Sequence, residues 1–248
     1  MPYATGVNFD ETQKNWTALG EHDAMWVVLT DPDKKGNRWK REDFFATGQR
    51  EIADVFTKLQ QAGVSPLSGR VLDFGCGLGR LSQALAARFA LVDGVDISAS
   101  MIRQAKEFNQ FSDRVTYHVN SRDDLAGFPA ASYDFICSLI VLQHIPPNFQ
   151  EKYIRDFLRL LKPGGVAYFQ TVHARGWRKF IPHSVADFIR KQRSHGQPFI
   201  PLYGVPTDQV RRLITAAGGE LKHFENCGHG EWGARYFNDY FIVQKPAA

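Results

Sequence analysis

The chain is poor in cysteine and has no long apolar run. Of its 248 residues only Cys76, Cys137 and Cys227 are cysteines, and their spacing matches no metal-binding motif. Three thiols cannot all pair with one another, so we expect reduced cysteines rather than a disulfide scaffold. The longest apolar stretch, residues 135–142, is too short to span a bilayer, and no signal-peptide pattern opens the chain. These absences predict a cytoplasmic protein without integral membrane contact.

Charge is also unremarkable in amount and distribution. The net charge is +4, hydrophobic residues make up 44% and charged residues 23%, as in ordinary soluble globular proteins. Basic residues are not gathered into one long run, so nucleic acid is not the expected partner. The length fits one long domain carrying embellishments.

The first 43 residues differ from the rest of the chain. They are polar, with weak periodicity, yet contain Trp16, Trp26 and Trp39. We interpret residues 1–43 as an arm or cap whose tryptophans anchor it on the body, or alternatively stack on a substrate. From about residue 43 a helical apolar pattern runs to Gly63 and Pro66, and the main domain is predicted at 44–248.

The main domain alternates short apolar strands with amphipathic helices, which predicts an α/β fold with a mainly parallel sheet. Strands are predicted at 70–74, 91–96, 114–119, 133–139, 166–172, 220–225 and 235–244. Helices are predicted at 80–89, 98–109, 148–161, 184–193 and 207–217, with Ser98 and Thr207 as N-caps. The last two strands are joined by about ten residues, so they form a hairpin and the seventh runs antiparallel to the others.

Polar and glycine residues follow the strands at the edge where α/β sheets bind ligands. Gly75, Gly77 and Gly79 follow the first strand, where glycine permits close backbone approach, and Asp96 ends the second. A carboxylate at that place can accept hydrogen bonds from both hydroxyls of a ribose. A polar cluster at 120–124 follows the third strand and can meet the edge of a base. The sequence therefore predicts a nucleoside ligand.

The glycine spacing narrows the class of ligand. Counting from Gly75, the sixth place is Arg80 where the dinucleotide fingerprint needs glycine, and the Gly-Lys-Ser/Thr ending of a phosphate loop is absent. The sequence instead resembles the class I S-adenosylmethionine-dependent methyltransferases. The matching segments are their first motif, their second, their fourth-strand motif and their turn before strand five: Val71-Leu-Asp-Phe-Gly-Cys-Gly-Leu-Gly79, Val95-Asp-Ile-Ser98, Tyr133-Asp-Phe-Ile-Cys-Ser138 and Leu160-Leu-Lys-Pro-Gly-Gly165.

The resemblance implies a Rossmann-like, doubly wound seven-stranded sheet in the order 3-2-1-4-5-7-6 with an insertion at 173–206, and S-adenosyl-L-methionine as cofactor. It also implies a set of cofactor-binding residues: Asp73, Gly75, Gly77, Gly79, Asp96, Ile97, Met101, Ser121, Arg122, Asp123, Ser138 and Leu139. The alternative interpretation of Ile97 and Met101 is that they are core residues only. Thr47, Gly48 and Arg50, on the helix before the first strand, are further candidates for contacting the cofactor carboxylate.

Methyl transfer requires a positioned nucleophile and, for a hydroxyl, a group that removes its proton. His144, after the fourth strand, is the first candidate for that base, and His173, after the fifth, is the second. The alternative for His144 is a hydrogen bond to a loop carbonyl. His229, Glu231 and Trp232 in the last hairpin line a substrate pocket or form only a turn.

The insertion at 173–206 interleaves basic and aromatic residues. It forms either a substrate lid or an ordinary helix with a solvated basic face. No Asn/Asp-Pro-Pro-Tyr run ends the fourth strand, and no acid pattern there indicates a metal. We therefore predict methyl transfer to a small or medium acceptor, at oxygen and without a metal. The alternatives are a protein or RNA methyltransferase and a non-catalytic regulatory subunit that binds the cofactor.

Overall fold

The computed structural model describes residues 8–174, 197–227 and 236–247, together with the single positions 185, 189 and 192. Most of the helix predicted at 184–193 lies outside the described residues. So do His229, Glu231 and Trp232 of the predicted hairpin turn.

The described strands form one seven-stranded sheet in the order β3-β2-β1-β4-β5-β7-β6. Strands β1 to β5 pair in parallel, whereas β7 is antiparallel to both β5 and β6. The α/β Rossmann-like fold and the strand order are thus confirmed. The strands are β1 Arg70–Phe74, β2 Leu91–Asp96, β3 Val115–Val119, β4 Tyr133–Ser138, β5 Leu161–Ala174, β6 Glu220–Cys227 and β7 Tyr236–Gln244.

Helices pack on both faces of this sheet. In chain order those described are α1 Phe9–His22, α2 Ala24–Val28, α3 Arg41–Gln61, α4 Arg80–Leu85, α5 Ala99–Phe108, α6 Pro147–Leu160 and α7 Thr207–Ala216. Aromatic rings fill both layers: Phe89 stacks on Phe135 at 5.7 Å on one face, and Phe157 contacts Phe74 at 5.2 Å on the other. Every residue of β4 is buried, as expected for a central parallel strand.

Several predicted boundaries shift. Helix α4 ends at Leu85 rather than at residue 89, because the chain tightens there into turns in which Arg88 N–H donates to the Leu85 carbonyl. Strand β5 begins at Leu161 rather than 166, since Leu161 already pairs with Tyr133 before an irregularity in the ladder.

One predicted helix cap is correct and one is wrong. Ser98 caps α5 as predicted, accepting a hydrogen bond from Met101 N–H at 3.3 Å. Thr207 does not cap α7, because Pro206 occupies the N-cap position and the Thr207 hydroxyl instead donates to Asp239.

The N-terminal arm is helical despite its weak periodicity. Helices α1 and α2 lie within it, and α3 already begins at Arg41, so the boundary predicted at residue 43 falls in the first turn of α3. The division into arm and main domain stays a prediction. None of the described helices is both long and apolar enough to cross a membrane, and the cytoplasmic location also stays a prediction.

Candidate active site

The glycine loop, residues 75–79, joins β1 to α4 through three left-handed residues. Gly75, Gly77 and Gly79 have φ values of 76°, 53° and 81°, which only glycine adopts without strain. A Cβ on Gly75 would collide with Val141, and one on Gly79 would collide with the Tyr117 ring. Glycine is therefore required both for the backbone turn and for the close approach of the turn after β4.

Asp96 fastens the glycine loop to the end of β2. Its two carboxylate oxygens accept hydrogen bonds from Gly77 N–H at 2.9 Å and from Ser98 N–H at 2.8 Å. Burial raises the pKa of Asp96, although these backbone hydrogen bonds oppose the rise. Each oxygen keeps a second lone pair, so the carboxylate can still accept hydrogen bonds from a ligand.

Asp73, the last acid before the loop, is almost fully buried. It accepts a hydrogen bond from the Ser82 hydroxyl at 2.6 Å. Burial raises the pKa of Asp73 to about 6, while Ser82 and the Arg80 guanidinium act in the opposite direction. A carboxylate this poorly solvated favours a nearby positive group.

A cavity opens between the carboxyl edge of the sheet and α1, with ≈ 1020 Å³ of space including its mouth. Its polar lining includes Asp73, Gly75, Gly77, Arg80, Asp96 and Asn120, and we call these residues the polar side. Its apolar lining includes Phe9, Trp16, Ile145, Pro146 and Phe149, and we call these residues the apolar side; Val28 lies against Gly77.

Most of the residues predicted for cofactor binding line this cavity, namely Asp73, Gly75, Gly77, Asp96, Ile97, Met101 and Leu139. Gly79 lies behind them, where the loop turns into α4 against Tyr117. Ser138 is buried at the end of β4, and its hydroxyl has no hydrogen-bond partner among the described residues.

Of the polar cluster predicted at 120–124, only the first residue lines the cavity. Asn120 lines the cavity, whereas Ser121, Arg122 and Asp123 are not among the lining residues. Ser121 accepts a hydrogen bond from Gln13, Arg122 pairs with Asp124, and Asp123 pairs with Lys152. The turn is fixed from Asn120, whose side-chain amide donates to the Arg122 and Asp124 carbonyls. Asn120 is therefore the member of this cluster that faces the cavity.

Helix α1 forms a wall of the cavity; the sequence predicted an arm or cap here, with Trp16 docking on the body or stacking on a substrate, but it did not predict the helix. Its inner residues Phe9, Thr12 and Trp16 line the cavity. The hydroxyls of Ser98 and Ser100 donate to the Trp16 and Thr17 carbonyls at 3.2 and 2.6 Å. The spacing of Phe9, Thr12 and Trp16 was the available signal, since it places them on one helical face.

Arg80 is a second residue that sequence reasoning missed. It is only 4% exposed, lines the cavity and forms an ion pair with Glu51 at 2.6 Å. Its Nε is buried without a hydrogen-bond partner in the described structure. Arg80 stands at the sixth place counted from Gly75, where the dinucleotide fingerprint has glycine, and an arginine at this place was the available signal.

The three candidates on α3 do not line the cavity. Thr47 accepts a hydrogen bond from Arg80 Nη1 at 3.3 Å, and Gly48 packs so closely on the Arg80 backbone that a Cβ would collide with it. Arg50 is exposed on the outer face of the helix. Thr47 and Gly48 therefore support Arg80 rather than face the cavity.

His144 lines the cavity and also bonds a loop carbonyl, so the two interpretations from sequence coexist. Its Nδ1–H donates to the Pro201 carbonyl at 2.5 Å, and its Nε2 accepts from the Gln143 amide at 3.1 Å. The ring lies 5.3 Å from that of Trp16. Burial lowers the pKa of His144 to about 4, although the Pro201 hydrogen bond opposes this. The imidazole is therefore neutral near neutral pH.

His173 lies outside the cavity lining. Its Nδ1 is 2.9 Å from the buried carboxylate of Asp239, and its ring stacks on Phe237 at 5.0 Å. Val205, in the segment that passes from His144 towards α7, donates to the Val172 carbonyl next to His173. Within the described ranges, no group of three His, Cys, Asp or Glu side chains could hold a metal ion.

The sheet order, the glycine loop and the carboxylate at the end of β2 together define a nucleoside-binding protein of the Rossmann-like methyltransferase type. A family model described as a methyltransferase domain matches residues 71–165. The ubiquinone biosynthesis O-methyltransferase of Xanthomonas campestris pv. campestris (strain B100) is 33% identical over 216 residues, covering 87% of this chain and 83% of the relative. A relative of the same name from Xanthomonas axonopodis pv. citri (strain 306) is 33% identical over 138 residues, only 57% of its own length.

Solved structures share the fold. The magnesium protoporphyrin IX methyltransferase from Synechocystis PCC 6803, with bound SAH, aligns with a TM-score of 0.62 at 20% identity, covering 96% of this chain and 99% of that one. The chain belongs to the class I S-adenosylmethionine-dependent methyltransferases, and its cofactor is S-adenosylmethionine. The site fits that group, because an unpartnered buried guanidinium nitrogen on Arg80 and the carboxylates of Asp73 and Asp96 complement its charged and ribose portions.

Proposed function

We propose that this enzyme transfers a methyl group to a hydroxyl of a small or medium, uncharged and largely apolar acceptor. The observation that carries the proposal is a single cavity that joins the glycine loop and Asp96 to an apolar wall containing His144. The named relatives support oxygen as the methylated atom, since both are called O-methyltransferases.

On the polar side, we propose that this chain's residues hold the cofactor by charge and by shape. Asp96 would accept hydrogen bonds from the ribose hydroxyls, and Asn120 would meet the adenine edge. Ile97 and Met101 would flank the adenine. Arg80 would meet the carboxylate, and Asp73 would complement the ammonium group. When bound, the cofactor supplies an electrophilic methyl group on a sulfonium sulfur.

On the apolar side, Trp16, Phe9 and Phe149 would contact the acceptor's ring or chain. The charged side chains that line the described cavity, those of Asp73, Arg80 and Asp96, all belong to the polar side. An uncharged acceptor can therefore bind against the apolar residues without the free-energy cost of burying an unpaired charge.

His144 is proposed to receive the hydrogen of the acceptor hydroxyl. Its neutral imidazole carries one lone pair, at Nε2, because Nδ1–H is donated to the Pro201 carbonyl. The acceptor hydroxyl would compete with the Gln143 amide for that lone pair. His173 remains the second candidate, although it lies outside the cavity lining.

Helix α1 favours a small acceptor over a protein or RNA. Phe9, Thr12 and Trp16 close one side of the cavity, and Gln13 ties the helix to the Ile97 carbonyl at 3.2 Å. We therefore place the protein and RNA alternatives second.

The test measures cofactor affinity by calorimetry and then turnover on a panel of acceptors. The panel pairs uncharged phenols that carry apolar substituents with the matching anilines and carboxylated analogues. We expect S-adenosylhomocysteine and a methyl ether from the uncharged phenols. Tight cofactor binding without turnover on any acceptor would support the non-catalytic alternative, and methylation of the anilines alone would overturn oxygen specificity.

A further inference from the structure

A chain of side-chain amides runs from β5 to His144. Gln170 Oε1 accepts from Ile140 N–H at 2.9 Å, and Gln170 Nε2 donates to Gln143 Oε1 at 3.2 Å. Gln143 Nε2 then donates to His144 Nε2 at 3.1 Å. His144 Nδ1–H finally donates to the Pro201 carbonyl at 2.5 Å. We call Gln170 and Gln143 the amide chain.

Two backbone groups fix the direction of every hydrogen bond in it. The Ile140 N–H can only donate, so the oxygen of the Gln170 amide faces it and the nitrogen faces Gln143. The Pro201 carbonyl can only accept, so the proton of His144 lies on Nδ1. Nothing along the chain has a free choice of orientation, and hydrogen bonds aligned in one direction strengthen one another.

The chain also holds a strained turn. Ile140 is β-branched yet has a φ of 61°, a conformation that such residues rarely adopt. The turn it forms presses Val141 against Gly75 of the glycine loop. Gln170 is thus the side chain that meets both the turn facing the cofactor loop and the amide that meets His144.

The two glutamines of the amide chain are buried. Gln143 and Gln170 are 1% and 4% exposed, and Gln170 Nε2 also donates to Asn238 Oδ1 on β7 at 2.9 Å. The ionisable groups lining the cavity with His144 are Asp73, Cys76, Arg80, Asp96 and Tyr153. The lowered pKa of His144 follows from burial, opposed by the Pro201 carbonyl, and not from any of these charges.

We propose that Gln170 is a positioning residue for methyl transfer, which acts through Gln143 to hold His144 as its neutral Nδ1–H tautomer at the cavity wall. This rests on the proposed function for its catalytic consequence, but the tautomer is a property of the protein alone. Gln143 makes the hydrogen bond to His144, and Gln170 also bonds the strained turn at Ile140, which packs against the glycine loop.

The first experiment is nitrogen-15 NMR of the histidine rings in the full chain without ligand, between pH 5 and 7.5. The His144 signals are identified by their loss in His144→Gln. We expect a neutral Nδ1–H imidazole across this range. Gln143→Leu removes a hydrogen bond that only the neutral ring can accept, so the imidazolium becomes more favourable relative to the neutral ring. We expect the His144 titration to move up by about one pH unit. An Nε2–H tautomer, or titration near pH 6.5 in the wild type, would overturn the proposal.

The second experiment measures kinetics of Gln170→Leu against Thr171→Val. Thr171 is the next residue of β5, is fully buried, and its hydroxyl has no partner in the described structure, so it controls for general damage to the strand. We expect Gln170→Leu to lower kcat about tenfold with little change in cofactor KM and to move the His144 titration upwards. Thr171→Val should do neither.

If Gln170→Leu does not fold, the NMR of the wild type and of Gln143→Leu still decides the matter. Wild-type kinetics and an unmoved His144 titration in Gln170→Leu would refute the positioning role. Failure of the proposed function has a different outcome, because the tautomer would be as expected while no acceptor is methylated.

Discussion

Asp73→Asn should stabilise the ligand-free protein, because keeping this buried carboxylate ionised is unfavourable for the folded state. Asp73 is 1% exposed, and burial raises its pKa from 3.8 to about 6. The folded state therefore binds the proton more tightly than the unfolded state does. The contribution of Asp73 to the free energy of unfolding is most favourable below pH 3.8 and is lost as the pH rises through 6. Asparagine keeps the shape and can still accept the Ser82 hydrogen bond, but carries no charge.

The magnitude follows from linkage between these two pKa values. Ionised Asp73 costs the folded protein roughly 1–2 kcal/mol at pH 5 and about 3 kcal/mol at pH 7.5. The substitution removes this cost, and its other effects on stability are the same at both pH values. The stability difference between Asp73→Asn and the wild type should therefore grow by about 1 kcal/mol from pH 5 to pH 7.5.

Urea denaturation at the two pH values measures this growth directly. Asp124→Asn is the control, because the Arg122 hydrogen bond lowers the pKa of Asp124, which therefore stays ionised at both pH values. Its effect on stability should not change between them. A difference for Asp73→Asn that is constant, or that shrinks as pH rises, would refute the assignment of a raised pKa to this carboxylate.

Three further substitutions probe the site. Asp96→Ala should weaken S-adenosylmethionine binding by about 1–3 kcal/mol in calorimetry, and an unchanged affinity would mean that the ribose is held elsewhere. His144→Gln should cut turnover about a hundredfold with little effect on cofactor affinity; near-normal turnover would remove His144 from the chemistry. Trp16→Ala should raise the acceptor KM about tenfold relative to Trp39→Ala, a change outside the cavity lining, and equal effects would argue against acceptor contact.

The pH dependence of turnover distinguishes His144 from an ordinary histidine. With its pKa lowered to about 4 by burial, His144 stays neutral as the pH falls through 6.5. Its own protonation should therefore reduce turnover only towards pH 4, and this acidic limb should be missing in His144→Gln. A limb near pH 6.5 that His144→Gln abolishes would contradict the lowered pKa.

The fold was predictable because its signals are local. The run from Val71 to Gly79 specifies a strand, a turn and a helix start within a few residues, and Asp96 ends the next strand at the expected distance. The short connection between the last two strands requires the antiparallel β7. Each of these features depends on neighbours along the chain.

The features that were missed depend on contacts between distant residues. A hydrogen bond from His144 to a loop carbonyl was one of the two interpretations, but its acceptor, Pro201, could not be identified because no periodic pattern relates the two residues. Arg80 is buried because Gly48 lets α3 approach it, which a motif position cannot reveal. Which member of the cluster at 120–124 lines the cavity could not be predicted, because a loop has no repeating geometry that fixes which side chain points inwards.

Helix α1 shows the same limit in another form. Its own pattern is weak, and hydrogen bonds from Ser98, Ser100 and Gln104 to its backbone carbonyls fasten it over the cavity. Such a helix gains its stability from docking rather than from intrinsic propensity. The glycine loop and Asp96 of the cavity lining could therefore be predicted from the sequence, whereas the contribution of helix α1 as a helix could not.

Transfer of a labelled methyl group from S-adenosylmethionine to a phenol with an apolar substituent tests the proposed reaction most directly. Carbon-13 NMR of the product identifies the atom that receives the label. Methyl transfer to oxygen predicts a labelled methyl ether, formed in equal amount with S-adenosylhomocysteine by the wild type and about a hundredfold more slowly by His144→Gln. A label on ring carbon, or labelled product formed equally fast by both proteins, would contradict it.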